Sequence, residues 1–294
     1  MGHVEGEIAS QPDCWRQAAA LATLMGSVLP REGERVAVAG CGTSLYMAQS
    51  IAALRESAGH GETDAYAASE MPVQRAYDRV LVLTRSGTTT EVLDLVSRLA
   101  GRAPTLAITA DPRSPIADAV DEVVVLDFAE ERSVVQTRFA TSALALVRAH
   151  VGHQIDALAH EAEEALLAPL PKEAETRARF TFLGRGWAVG VAREAALKLR
   201  EASRSWAEAY PAMEYRHGPI SVADHRSLVW VFGPAPSGLA DDVARTGASW
   251  ENAARDPLAE LVRAQRLAVA VARARGMDPD RPRHLARSVV LDPS

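Results

Sequence analysis

The chain has 294 residues, 48% of them hydrophobic and 24% charged, with a formal net charge of −6. These values exclude a mainly disordered chain, and the acidic balance leaves no basic footprint for nucleic acid. Cys14 and Cys41 are too few for a disulfide framework or a zinc site, no secretory pattern opens the chain, and no apolar run reaches the ~18 residues of a membrane span, so a cytoplasmic protein without a metal centre or membrane segment is expected.

In chain order, residues 13–29 carry an amphipathic helical pattern that ends near Pro30. "RVAVAG" (35–40) reads as a short buried strand, followed through a glycine turn by a helix over 43–57. Three more β-branched runs follow, "RVLVLT" (79–84), "TLAIT" (105–109) and "EVVVL" (122–126), with helical patterns at 88–100 and 114–120 between them. Strand and helix alternating at this spacing predict βαβ units and a parallel sheet covered on both faces. Residues 133–168 form a long helical stretch, interrupted at most near Gly152 and closed by Pro169 and Pro171.

The chain then restarts. "FTFLGRGWAVGVAREAALKLRE" (180–201) echoes "VAVAGCGTSLYMAQSIAALRE" (36–56), with Gly184 and Gly186 answering Gly40 and Gly42. Two copies of one α/β unit are expected, the second shorter because only "SLVWVFG" (227–233) and "TGASW" (246–250) offer further strands. A helix over 257–276 and a tail finish the chain. The division expected is a helical lead over 1–30, a first domain with its connecting helix over 31–170, and a second, trimmed domain with the tail over 171–294.

In an open parallel sheet, ligands bind beyond the carboxyl ends of the strands, where helix N-termini present unpaired N–H groups. "AGCGTS" (39–44) and "TRSGTTTE" (84–91) occupy that place. Neither fits a dinucleotide or nucleotide fingerprint. Thr84, Ser86, Thr88, Thr89 and Thr90 crowd five hydroxyls into seven positions. Helix capping needs one such group, whereas a tetrahedral phosphate can use several; both readings stand on spacing alone.

Among the 32 basic residues only Lys172 and Lys198 are lysines, the rest being arginine. Lysine can lose its proton when desolvated and arginine in practice cannot, so Lys198 attracts interest. Glu194, Lys198 and Glu201 stand at i, i+4 and i+7 on one helical face, either as a solvated ion-pair ladder or as a proton-transfer group with apolar neighbours Leu197, Leu199 and Trp206. In "AEAYPAMEYRHGPI" (207–220), Pro219 leaves His217 on a loop or helix end, with Glu214 and Arg216 as candidate partners.

Taken together, "GCGTS", "AASE", "TRSGTTTE", "VVQTRFATSALAL", "LGRG", "EAALKLRE", "AEAYPAMEYRHGP" and "DRPRHLARSV" resemble, in order, the sugar isomerase (SIS) family. The likeness is most specific to the isomerase half of glucosamine-6-phosphate synthase and to related deaminases and ketose/aldose-phosphate isomerases. It implies an α/β fold of two tandem flavodoxin-like SIS subdomains with parallel sheets flanked by helices. It also implies a homodimer with shared active sites, a phosphorylated sugar or amino sugar as substrate, and no cofactor. Gly42, Thr43, Ser44, Thr84, Arg85, Ser86, Thr88 and Thr89 would hold the sugar phosphate, and Val134 and Gln136 would line the sugar. Glu201 would shuttle a proton between C1 and C2 through an enediol, with Lys198 beside it and His217 from the neighbouring subunit assisting ring opening.

Three departures qualify the likeness. Arg287 stands where the synthase has an imine-forming lysine in the tail, and arginine makes no Schiff base. Arg85 replaces a glutamine of the phosphate loop and adds a charged donor. The stretch from Gly233 to Pro257 is shortened, trimming the second sheet. The short lead before the first strand leads us to expect neither a glutaminase domain nor a DNA-binding helical domain. The expected activity is isomerisation or isomerising deamination of a hexose or amino-hexose 6-phosphate; a non-catalytic phosphosugar-binding protein is the alternative that Arg287 keeps open.

Overall fold

A computed structural model describes residues 2–291. After α1 (His3–Ala9) and α2 (Gln11–Leu24), the first α/β unit runs β1 (Val36–Gly40), α3 (Thr43–Ser57), β2 (Thr63–Ala67), β3 (Arg79–Leu83), α4 (Thr90–Leu99), β4 (Thr105–Thr109), α5 (Pro115–Ala119) and β5 (Glu122–Val125). Its five strands are all parallel, in the order β2-β1-β3-β4-β5. That is the flavodoxin-like winding, with its switch point between β1 and β3. The residues of β1 and β4 are buried throughout, as expected for central parallel strands covered by helices on both faces.

The expected long helix over 133–168 is two helices, α6 (Arg138–His150) and α7 (Ile155–Leu167), parted at Gly152. The second α/β unit follows as β6 (Arg179–Gly184), α8 (Ala188–Ser203), β7 (Trp206–Pro211), β8 (Ser227–Phe232), α9 (Leu239–Arg245), β9 (Ser249–Asn252) and α10 (Pro257–Ala274). Its sheet is again parallel, in the order β7-β6-β8-β9. This is the same winding with no fifth strand among the described residues, so the second copy is the trimmed one.

By contacts, one compact unit comprises residues 13–132, 136–156 and the tail from Ala286; the other comprises the chain up to Pro12, 133–135 and 157–285.

The repeat extends to single glycines. A Cβ on Gly40 would sit 2.8 Å from the Ser44 carbonyl carbon, and one on Gly184 would sit 2.2 Å from the Ala188 carbonyl oxygen. In both units the first helix therefore starts packed directly on the last residue of the central strand. Gly42 and Gly186, two positions on, take matching positive φ values of 55° and 54°. Only glycine enters such turns at little cost.

Four elements were not expected from sequence: α1, β2, β7 and α9. Both strands lie at the edge of their sheets, are only partly buried, and lack the apolar β-branched runs of the central strands. Among the described residues, no helix is long and apolar enough to cross a membrane.

Candidate functional site

The chemistry-bearing residues fall in two groups, one in each unit. In the first unit, β3 delivers the chain into the turn Thr84–Thr89 at the N-terminus of α4. Thr84, Arg85 and Ser86 are buried, as are Thr43 and Ser44 at the start of α3. The turn is built by its own hydroxyls: Gly87 N–H donates to Thr84 Oγ1 at 3.2 Å, and Thr88 N–H donates to Ser86 Oγ at 3.3 Å. Gly87 has φ +63°, and a Cβ there would lie 2.0 Å from Ser114 Oγ, so this tight reversal excludes other residues. Thr89, at the N-cap of α4, makes no side-chain cap. Helix capping therefore does not account for the hydroxyls, whereas a cradle of hydroxyls and N–H groups at a helix N-terminus suits an anion.

Arg85 departs from the expectation of an open phosphate donor. Its guanidinium is fully buried, 3.5 Å from Glu131 Oε2, and Nη2 donates to the Arg287 carbonyl at 2.9 Å. Glu131, equally buried, accepts on Oε1 from Thr137 N–H at 2.6 Å, Thr137 Oγ1 at 2.8 Å and Arg138 N–H at 2.8 Å. It thus caps α6 from six residues upstream. The helix N-terminus and Arg85 together offset the cost of burying its charge. Glu131 was not singled out from sequence, because its offset from the helix start matches no local capping pattern.

Gln136 lies just ahead of α6, and its Oε1 is buried without a hydrogen-bond partner. Val134 is half-buried on the same connecting segment. Arg287 is half-exposed and ion-paired with Glu130. Burial first, and then the nearby Glu91 carboxylate, push the Cys41 thiol pKa up, which disfavours the thiolate form of this cysteine of the "GCGTS" turn.

In the second unit, α8 carries Glu194, Lys198 and Glu201. Lys198 is 1% exposed, with Nζ 3.3 Å from Glu194 Oε1 and 2.5 Å from Glu201 Oε2. The solvated-ladder reading is thereby excluded. Burial alone would lower the Lys198 pKa, but the two flanking carboxylates outweigh it and hold the ammonium charged. Glu194 is as buried as Lys198, while the Glu201 side chain keeps 19% exposure. Glu201 lines a cavity of about 180 Å³ with Arg204, Met277, Asp278, Arg281 and Arg283. Trp206, expected among its apolar neighbours, is instead 68% exposed and donates its indole N–H to Glu208.

His217 ends the 3₁₀ turn Glu214–Arg216 and is exposed. Its expected partners are not brought to it. Arg216 pairs with Asp242 at 2.5 Å and donates to the Ser237 carbonyl, and His217 meets Glu214 only through the backbone.

Residues 31–151 match the model of the SIS domain. The first α/β unit is thereby identified as a SIS domain. It is 30% identical over 320 aligned residues to the glutamine–fructose-6-phosphate aminotransferase (isomerizing) of Thermus thermophilus, covering 90% of this chain and 53% of that protein. The same enzyme of Xanthomonas campestris is 28% identical, covering 89% of this chain and 52% of its own length. The chain thus spans about half the length of the curated relatives it matches. Among solved structures, glucosamine-6-phosphate deaminase from Thermotoga maritima superposes with a TM-score of 0.83 at 26% identity, covering 99% of this chain and 100% of that one. Tagatose-6-phosphate ketose/aldose isomerase from Escherichia coli, at TM-score 0.77 and 21% identity over 99% of this chain and 97% of that one, shares the fold. The fold of two parallel-sheet α/β subdomains is therefore shared with these two solved structures.

Proposed function

We propose that this SIS-domain protein is an aldose–ketose isomerase or isomerising deaminase acting on a hexose 6-phosphate or amino-hexose 6-phosphate. The observation that carries the reading is the Glu194–Lys198–Glu201 cluster: a buried lysine, held charged, that fixes one oxygen of a partly exposed carboxylate at a cavity. A carboxylate so positioned suits proton transfer between C1 and C2 of an open-chain sugar. Glu201 Oε2 faces Lys198, which leaves Oε1 as the base. Lys198 stays protonated and places Glu201; it does not itself accept the proton.

The remaining roles follow the same reading. Gly42, Thr43, Ser44, Thr84, Ser86, Thr88 and Thr89 hold the phosphate, and Arg85 puts positive charge behind them. Val134 and Gln136 line the sugar, and the unpartnered Gln136 Oε1 supports this, since a sugar hydroxyl would satisfy it. His217 assists ring opening, from the neighbouring subunit of a homodimer; its exposure suits a group presented to another chain. Arg287 cannot form an imine, so the chemistry is enediol proton transfer and not Schiff-base catalysis. A charged sugar phosphate is retained inside the cell, and a cytoplasmic location belongs to the same proposal.

The test is a panel of esters, fructose 6-phosphate, glucosamine 6-phosphate and glucose 6-phosphate, against their unphosphorylated sugars. We expect an ester and not its free sugar to raise the melting temperature, and at least one ester to be turned over. Esters that stabilise without any turnover would establish a phosphosugar-binding protein in place of the enzyme.

A further inference from the structure

The tail after Leu285 supplies the cradle in the first unit with a ligand of its own. Ser288 Oγ lies 3.1 Å from Ser86 Oγ, 2.9 Å from Thr88 Oγ1 and 3.3 Å from Thr89 Oγ1. Ser86 and Thr88 donate, so the Ser288 oxygen accepts twice from hydroxyls that converge on it. Its own proton is left for Thr89, which completes the capacity of one hydroxyl. An acceptor oxygen at the meeting point of several hydroxyls is what a phosphate would place there.

The backbone on either side repeats the pattern. The N–H of Thr90, the first of α4 and one that an anion at a helix N-terminus would use, donates to the Val289 carbonyl at 3.1 Å. Arg85 Nη2 donates to the Arg287 carbonyl at 2.9 Å, and the Leu291 N–H returns to Thr90 Oγ1 at 2.9 Å. Val289, Val290 and Leu291 are half or more exposed, so no buried apolar side chain anchors this stretch. Hydrogen bonds, all between neutral groups except the one from Arg85, and the half-exposed ion pair of Arg287 with Glu130 hold it.

We infer that residues 286–291 are an intramolecular competitor of the phosphate, with Ser288 in the anion position, and that ester binding requires their displacement. The inference rests on the reading of the Thr84–Thr89 turn as the phosphate cradle. A phosphate dianion makes charge-assisted bonds about twice as strong as those of the tail, and so wins when present. Until then the tail keeps the donors satisfied and reduces the apparent affinity by the fraction of molecules in which it is released. Its departure returns three hydroxyls, the Thr90 N–H and Arg85 Nη2 to the site.

The experiment titrates inorganic phosphate and fructose 6-phosphate into the whole chain, Ser288→Ala, Ser44→Ala and a chain ending at Leu285, and follows amide exchange over 286–291. We expect Ser288→Ala to bind phosphate about three- to tenfold tighter, the shortened chain to do so as well, and amide exchange in the tail to speed up on ligand binding. Equal or weaker binding by Ser288→Ala, or a tail that exchanges more slowly with ligand, overturns the competition. Ser44 touches no part of the tail in these contacts, so weaker binding by Ser44→Ala leaves the cradle standing in that event. Should no form bind phosphate or ester, the shortened chain included, the cradle reading falls and the competition with it.

Discussion

Lys198 shows how a single residue sets the character of a site. One buried ammonium stands between two carboxylates, of which Glu201 is the member that reaches the cavity. Removing the cation strands two acids in a buried setting, and breaking such a pair typically costs about 3–5 kcal/mol. Lys198→Met should therefore lower the unfolding free energy by about that amount in urea melts at neutral pH. The pH dependence has a definite sign. The folded-state pKa of Lys198 is raised, so its stabilisation is complete below the ordinary lysine range and is lost as pH climbs through the raised value. The parent should lose stability in strong alkali through this group, and Lys198→Met should lack that component. An alkaline drop of equal size in both would show that the lysine is not held as described. The scarcity of lysine made Lys198 visible in the sequence, but whether the i, i+4, i+7 ladder faced water or the interior was not visible. Burial of a helix face depends on what packs upon it.

At the scale of elements, Glu131 ties a helix to a loop. Its carboxylate caps α6 and answers the guanidinium of Arg85 in the hydroxyl turn. Glu131→Ala should destabilise the protein by about 3–5 kcal/mol, because it uncaps α6 and leaves Arg85 buried without its counter-charge. Glu131→Gln, which keeps an acceptor for Thr137 and Arg138, should cost less. Chemical denaturation of the two variants measures the difference; equal losses would mean that the carboxylate's charge, and not its capping oxygen, carries the whole effect. The central strands and their helices were readable because buried parallel strands are continuous apolar runs. "TDAYA" and "WAEAYP" were not, because an edge strand is covered on fewer sides and needs no such run. The contacts of Glu131 and Ser288 were hidden for a different reason. Each bridges positions distant in sequence or outside local capping patterns, and local pattern carries no signal for them.

For the whole molecule, the internal repeat is the main fact. Two sheets share one winding, and in both a glycine at the end of the central strand admits the following helix at contact distance. The repeat was legible from "VAVAGCG" and "FTFLGRG", and so was the loss of a strand from the second copy. The repeat has diverged in chemistry: the first copy carries the hydroxyl turn and the second carries the buried lysine cluster. If active sites are shared in a homodimer, His217→Ala and Glu201→Gln proteins mixed under exchange conditions should regain activity that neither shows alone. Mixtures that stay inactive, although native mass spectrometry shows mixed dimers, would place His217 and Glu201 of one chain at the same site. The most direct test of the central claim is deuterium incorporation at C1 of fructose 6-phosphate or at C2 of glucosamine 6-phosphate in heavy water, followed by NMR. The account predicts exchange by the parent and a loss of about 10²–10⁴-fold in Glu201→Gln, the range for removing a general base. Exchange that survives unchanged in Glu201→Gln would contradict it.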